Sequence, residues 1–198
     1  AFGETPQGVI VLAGAWLEGL QSQPVLAVGK HFPGHGAAQA DSHKSLPTIT
    51  ADRAALEQRE VIPFKALLGR LPALMTAHLV VSGIGAEPAT WSSTLLQTIL
   101  REEWGYTGLV VSDALEMGAL SGPLEERAYR AIQAGCDLVF CCTGRLEDNV
   151  ATLEGVARAT AEMSAARRAF LGERITATLA PYCPVPGDWR GLLQQPDY

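Results

Sequence analysis

The chain has 198 residues, 47% of them hydrophobic and 18% charged, the range of an ordinary globular domain or of part of a larger one. A formal net charge of -6 argues against a nucleic-acid partner, because nothing is present in excess to neutralise phosphates. No apolar run of about 18 residues occurs, so no membrane partner is expected, and Ala1-Phe2-Gly3-Glu4 lacks the basic stretch of a secretory signal.

In chain order, Thr5 caps a first helix with Pro6 at its first position, and Val9, Leu12, Ala13, Trp16, Leu17 and Leu20 share one face. A strand is predicted from Val25 to Gly29, followed by a long loop rich in Gly, Pro and His. Helical turns follow from about Asp52 to Leu68, broken by Pro63, and a second strand from Ala73 to Ala77. Ser92 or Ser93 caps a helix whose buried stripe is Leu95, Leu96, Ile99 and Leu100, and a third strand runs from Leu109 to Val111. Pro123 opens a helix that Gly135 closes, and a fourth strand covers Asp137 to Cys141. A last helix is expected from about Leu146 to Leu179, interrupted near Gly155 or Gly172, so that residues 1–180 form one unit and 181–198 an irregular tail.

Each of these strands is nearly all apolar, as parallel strands covered on both faces are. The alternation reads as four βα units, an α/β class. Four units are half of an eight-unit barrel, and alone they leave two unpaired parallel edges. Either the other half lies outside this chain, or the sheet is an open, doubly wound one. Four cysteines without a CxxC pair, three of them in or beside Cys136-Asp137-Leu138-Val139-Phe140-Cys141-Cys142, read as free thiols in a core strand and fit a reducing, cytoplasmic setting.

Polar, chemically capable residues gather where the strands end, the edge at which parallel α/β folds build their sites. After the first strand come Lys30-His31-Phe32-Pro33-Gly34-His35-Gly36 and Asp41-Ser42-His43; after the second, His78; after the third, Asp113. Taken alone, Asp113 also suits a cap and the histidines suit loop bracing. Glu116 reads as an ordinary polar residue, Asp137 as a residue that caps or pairs at the start of its strand, and Glu125, Glu126, Arg127, Arg167 and Arg168 as solvated helix faces. The histidines with Asp41 and Asp113 also permit a zinc site, although no HxH or HExxH spacing is present.

The run KHFPGHG followed by DSH and LP, with MTAH, GLVVSDALEM and AGCDLVF in that order downstream, resembles family 3 glycoside hydrolases of the β-N-acetylhexosaminidase type from Phe2 to about Cys142. The resemblance implies the C-terminal half of a (β/α)8 barrel, with the N-terminal half as its missing partner. It implies a retaining exo-glycosidase that releases terminal β-linked N-acetylglucosamine, as in muropeptide recycling, with no cofactor and no metal. By the same resemblance Asp113 is the nucleophile, His43 the acid/base with Asp41 orienting it, and Lys30 and His31 bind sugar hydroxyls. His35 and His78 fall into supporting places. The roles are chemically coherent, since retention needs a carboxylate on one face of the sugar and a proton donor on the other, and imidazole titrates near neutrality. Two departures stand out: Ala114 occupies a position where many relatives carry a second Asp, and no counterpart of the family's sugar-binding Asp and Arg is present. A phosphorylase of the same family and an inert barrel fragment remain open alternatives.

Overall fold

A computed structural model describes residues 2–36, 38, 42 and 45–182. Its main sheet contains β1 (Val28–Phe32), β3 (Ala73–Thr76), β5 (Leu109–Ala114) and β6 (Leu138–Phe140), all parallel and in the spatial order β1-β3-β5-β6. Parallel neighbours that follow one another in sequence require a crossover after each strand. Here α2 (Arg53–Gln58) and α3 (Ile62–Leu67) lie between β1 and β3, a π-helical segment (Thr94–Glu103) between β3 and β5, and α4 (Leu124–Ala134) between β5 and β6. Helix α1 (Pro6–Gln21) precedes the sheet; α5 (Leu146–Ala161) and α6 (Ala165–Leu179) follow it.

The four expected βα units are present, with shifted ends. β1 begins three residues later than the apolar run Val25-Leu26-Ala27 suggests, so Lys30 and His31 lie inside the strand. β5 likewise extends through Asp113 to Ala114. β3 and β5 are almost wholly buried, whereas β1 and β6 are largely open. The uniform burial read from composition therefore holds for the two inner strands and fails for the outer ones, which among the described residues have a neighbour on one side only. Cys136 is buried, but β6 stops at Phe140, leaving Cys141 part-exposed and Cys142 exposed; Cys183 and the tail from 183 lie outside the described residues.

A second, two-stranded parallel sheet pairs β2 (Thr48–Asp52) with β4 (Val80–Gly83), and sequence reasoning missed it. Its signal was present in the β-branched Thr48-Ile49-Thr50 and the apolar Leu79-Val80-Val81. Ile49, Leu79 and Val81 bury its inner face with Leu56 and Val61. The segment leaving β1 is anchored at both ends: Ala77 N donates to Phe32 O (2.7 Å), and Val80 N donates to Pro47 O (2.9 Å). Phe32 is fully buried, with its ring edge-on to Phe64 and Trp104 at 5.6 and 5.9 Å.

Thr5 Oγ1 accepts from Gly8 N and Pro6 opens α1, as expected, but only Gly14 and Leu17 of that helix are buried, and Leu12 and Trp16 face outward. Ser92, rather than Ser93, caps the π-helical segment by accepting from Leu95 N. The last helix divides at residues 162–164, where Ser164 Oγ accepts from Arg167 N, and at neither predicted glycine. Gly155 instead lies at a helix crossing: a Cβ there would overlap the carbonyl oxygen of Glu125 in α4 and sit 3.1 Å from Ala128 Cβ.

Beneath the sheet, at the strand starts, Asp137 is buried and accepts from Val110 N (2.8 Å), Arg101 (2.6 Å) and Arg174 (2.7 Å). That ties β5, β6, α6 and the π-helical segment together at the end opposite the polar cluster. Removing one partner of so buried an arrangement leaves charges unmatched, at a cost of about 3–5 kcal/mol.

Candidate active site

The C-terminal ends of β1, β3 and β5 bring His31, His78 and Asp113 together. Asp113 Oδ1 accepts from the following amide, Ala114 N, at 2.8 Å. Its Oδ2 lies 3.6 Å from His31 Nε2, with both side chains part-exposed. That separation is too long for a hydrogen bond but close enough for electrostatic coupling. Burial pushes His31 below the usual imidazole value, against the opposing pull of the Asp113 carboxylate. At neutral pH the ring is therefore an uncharged polar neighbour of Asp113.

His78 is almost fully buried, at 1% exposure. Its Nε2 lies 2.9 Å from Ala114 O and its Nδ1 2.7 Å from Thr90 Oγ1. Burial pushes it too below the usual imidazole value. His35 sits with its ring edge-on to His31 at 6.2 Å. Lys30, His31 and His35 line a groove of about 870 Å³ along the β1 edge, floored by α1 and α3 side chains; Asp113 is not among its walls. Asp41 and His43 lie outside the described residues. Ser42, between them, is described: it is buried, and its carbonyl accepts from Ala119 N at 3.2 Å.

The loop after β5 is braced more firmly than its sequence suggests. Arg127 reaches back from α4, donating through Nη1 to Leu115 O (2.7 Å) and Met117 O (3.2 Å) and through Nε to Gly122 O (2.8 Å). The expectation that Arg127 belongs to a solvated helix face is thus wrong, because its guanidinium satisfies loop carbonyls that have no strand partner. Glu116 is also structural, accepting from Cys142 N through both carboxylate oxygens. Asp137 pairs at its strand start, as read. Thr76 and Thr90, the partners behind His78, gave no sequence signal, since a threonine's contact across the fold leaves no local pattern. Among the described residues, no group of three or more His, Cys, Asp or Glu side chains is arranged to hold a metal ion, and no helix is long and apolar enough to cross a membrane.

Chemically, this is a part-exposed strand-end carboxylate fixed on one oxygen by a backbone amide, with the other oxygen facing a neutral imidazole. Comparison with known proteins agrees in fold and in sequence. A family model described as the glycosyl hydrolase family 3 N terminal domain matches residues 1–171. A β-hexosaminidase of Alkalilimnicola ehrlichii is 46% identical over 145 residues, 72% of this chain and 42% of that protein. A family 3 β-N-acetylglucosaminidase from Paenibacillus sp. str. FPU-7 superposes with a TM-score of 0.86 at 34% identity, over 95% of this chain and 38% of that one. The β-glucoside phosphorylase BglX superposes with a TM-score of 0.80 at 26% identity, over 92% of this chain and 35% of that one. The chain spans less than half the length of each of these proteins, and its four βα units form a partial barrel.

Proposed function

The chain belongs to glycosyl hydrolase family 3, and on that premise we propose that it carries the bond-cleaving residues of a retaining glycosidase acting on terminal β-linked N-acetylglucosamine. Asp113 Oδ2 attacks the anomeric carbon and forms a covalent glycosyl-enzyme as the bond to the leaving oxygen breaks. His43, oriented by Asp41, delivers a proton to that oxygen. Water then attacks the anomeric carbon, gives its proton to His43, and releases Asp113 and the sugar with net retention. Lys30 and His31 hydrogen-bond sugar hydroxyls, and His35 steadies His31. The substrate proposed is a muropeptide fragment from cell-wall turnover, a reading that rests on the motif resemblance; the β-hexosaminidase names of the relatives support the N-acetylhexosaminide class alone.

The observation that carries the nucleophile is the state of Asp113: one oxygen held by Ala114 N at 2.8 Å, the other free of a hydrogen bond among the described residues and 3.6 Å from His31 Nε2, with the side chain part-exposed. A carboxylate so oriented need not reorganise before attack. The test is Asp113→Asn in a polypeptide carrying this segment at the full length of its relatives. Turnover of an aryl β-N-acetylglucosaminide is expected to fall below about a tenth of wild type, as loss of a covalent nucleophile requires. Activity above that level, with no azide effect, would sink the assignment.

The similarity to BglX supports a second reading, phosphorolysis. A neutral histidine acid/base repels phosphate less than a carboxylate does, so phosphate can approach the glycosyl-enzyme. Saturable acceleration by inorganic phosphate, with a sugar 1-phosphate as product, selects it; a rate and product indifferent to phosphate select hydrolysis.

A further inference from the structure

We propose that His78, held by Thr90 and Thr76, is a positioning residue that sets the orientation of the Asp113 carboxylate through the backbone of Ala114. The proposal rests on the reading of Asp113 as nucleophile and extends it to a relay of residues that never touch substrate.

Donor and acceptor capacities, taken with the contact lengths, order the relay. Ala114 O can only accept, so the His78 nitrogen 2.9 Å from it, Nε2, carries a hydrogen. Burial disfavours the charged ring, so in the neutral imidazole Nδ1 has a lone pair and accepts from Thr90 Oγ1 at 2.7 Å. Thr90 has one hydroxyl hydrogen. Thr90 Oγ1 also lies 3.2 Å from Ala77 O, a longer contact than the 2.7 Å to Nδ1; with the hydrogen directed at Nδ1, the 2.8 Å contact with Thr76 Oγ1 is a donation from Thr76 to Thr90. The order is then Thr76 O–H to Thr90, Thr90 O–H to His78 Nδ1, and His78 Nε2–H to Ala114 O. Thr76, His78 and Thr90 are all buried, at 0%, 1% and 0% exposure, so water cannot replace a missing link.

The far end of this chain meets the reacting group. Ala114 is one peptide beyond Asp113, and its N–H is the donor to Asp113 Oδ1. Its carbonyl, which also accepts from Met117 N at 3.2 Å, is thereby held from two directions. Residue 114 is where β5 passes into the loop, and its own C=O is held by a side chain and a turn. Rotation of this region would swing the N–H away from Oδ1 and free the carboxylate to turn. His78 opposes that rotation from the neighbouring strand end. Imidazole is suited to the task because it spans donor and acceptor partners on opposite sides with one rigid ring. Displacement of a reacting group by about 1 Å costs roughly a hundredfold in rate.

The experiment compares His78→Leu, His78→Gln, Thr90→Val and Asp113→Asn in the family-length polypeptide, with folding checked by thermal melting. His78→Leu removes both hydrogen bonds, whereas glutamine can place an amide N–H close to where Nε2 sits. The expected result is a kcat about a hundredfold lower for His78→Leu with KM within about twofold of wild type, and recovery to within about tenfold for His78→Gln. Thr90→Val, nearly isosteric, is expected to lower kcat by about tenfold with the same KM behaviour. A folded His78→Leu protein with wild-type kcat overturns the proposal, as does a rise in KM with kcat intact, or a glutamine no better than leucine. If His78→Leu does not fold, Thr90→Val decides by the same criterion, a wild-type kcat refuting the relay. Asp113→Asn separates the two levels: an active Asp113→Asn protein refutes the nucleophile itself, whereas an inactive one beside a fully active His78→Leu refutes only the relay.

Discussion

Replacing Gly155 by alanine adds a single methyl group at the α4–α5 crossing. In an exposed helix interior that change stabilises by about 0.8–1.0 kcal/mol, because glycine is so much less favourable than alanine there. At this position the new Cβ would overlap the Glu125 carbonyl oxygen, lie 2.9 Å from its carbon and 3.1 Å from Ala128 Cβ. The obstruction is backbone on one side and a buried alanine on the other, so neither can rotate aside, and the helices must separate. Overpacking of this kind costs about 1–3 kcal/mol, enough to cancel the propensity gain and reverse the sign. Gly172, in the middle of α6, is the internal control: a Cβ added there would meet nothing within 4 Å, so Gly172→Ala should stabilise by several tenths of a kcal/mol to about 1 kcal/mol. Urea unfolding of the two variants in a family-length polypeptide should show midpoints shifted in opposite directions. A Gly155→Ala protein more stable than wild type would refute the close packing inferred for α4 and α5.

Two further outcomes are expected. His31 and His78 both have folded values below their unfolded value near 6.5; the unfolded chain therefore binds more protons, and stability is full above about pH 6.5 and is lost as pH falls through the folded values. His78→Gln should flatten that acid slope in pH-dependent unfolding, and a slope unchanged by the substitution would show that His78 titrates alike in both states. His43→Ala should slow aryl glycosides with poor leaving groups far more than 2,4-dinitrophenyl ones, with azide hastening release of the covalent sugar, and Asp41→Asn should show the same pattern more weakly. Equal losses along the leaving-group series would assign His43 to binding instead of proton transfer.

The sequence made legible those features that depend on local pattern. The Thr5-Pro6 start of α1, the apolar strands and the closing Gly135 were readable because capping and burial each leave a mark within a few residues. Positions within strands were less readable: the apolar Val25-Leu26-Ala27 draws the eye, yet pairing with Ala73 and Leu74 begins at Val28. Strand register depends on the neighbour, which no local window contains. The same reasoning explains Arg127, whose pattern is that of a surface helix and whose partners are loop carbonyls five to twelve residues earlier in the chain. It explains Gly155 as well, where a residue that suggested a helix break is instead the point at which another helix comes near. Within the site, Asp113 and His78 were found from their strand-end positions, while the threonines behind His78 needed the three-dimensional arrangement.

The two anchors of the segment between β1 and β2 have a consequence for how this fold tolerates change. Phe32 is locked in the main sheet and its core, and Pro47 is tied to β4 in the small sheet, through bonds that do not involve the residues between them. A change of length in residues 33–46 can be absorbed only between further fixed points, since Gly34 packs against Glu60 and the carbonyl of buried Ser42 accepts from Ala119 N, and between such points the closure entropy grows by only about 0.6 kcal/mol for each doubling of length. The strand that bears Asp113 has no such freedom, since β5 is buried and paired on both sides. On the proposed mechanism such a change would shift His43 relative to a carboxylate that β5 holds in place, so the separation of acid/base and nucleophile depends on the length of this segment.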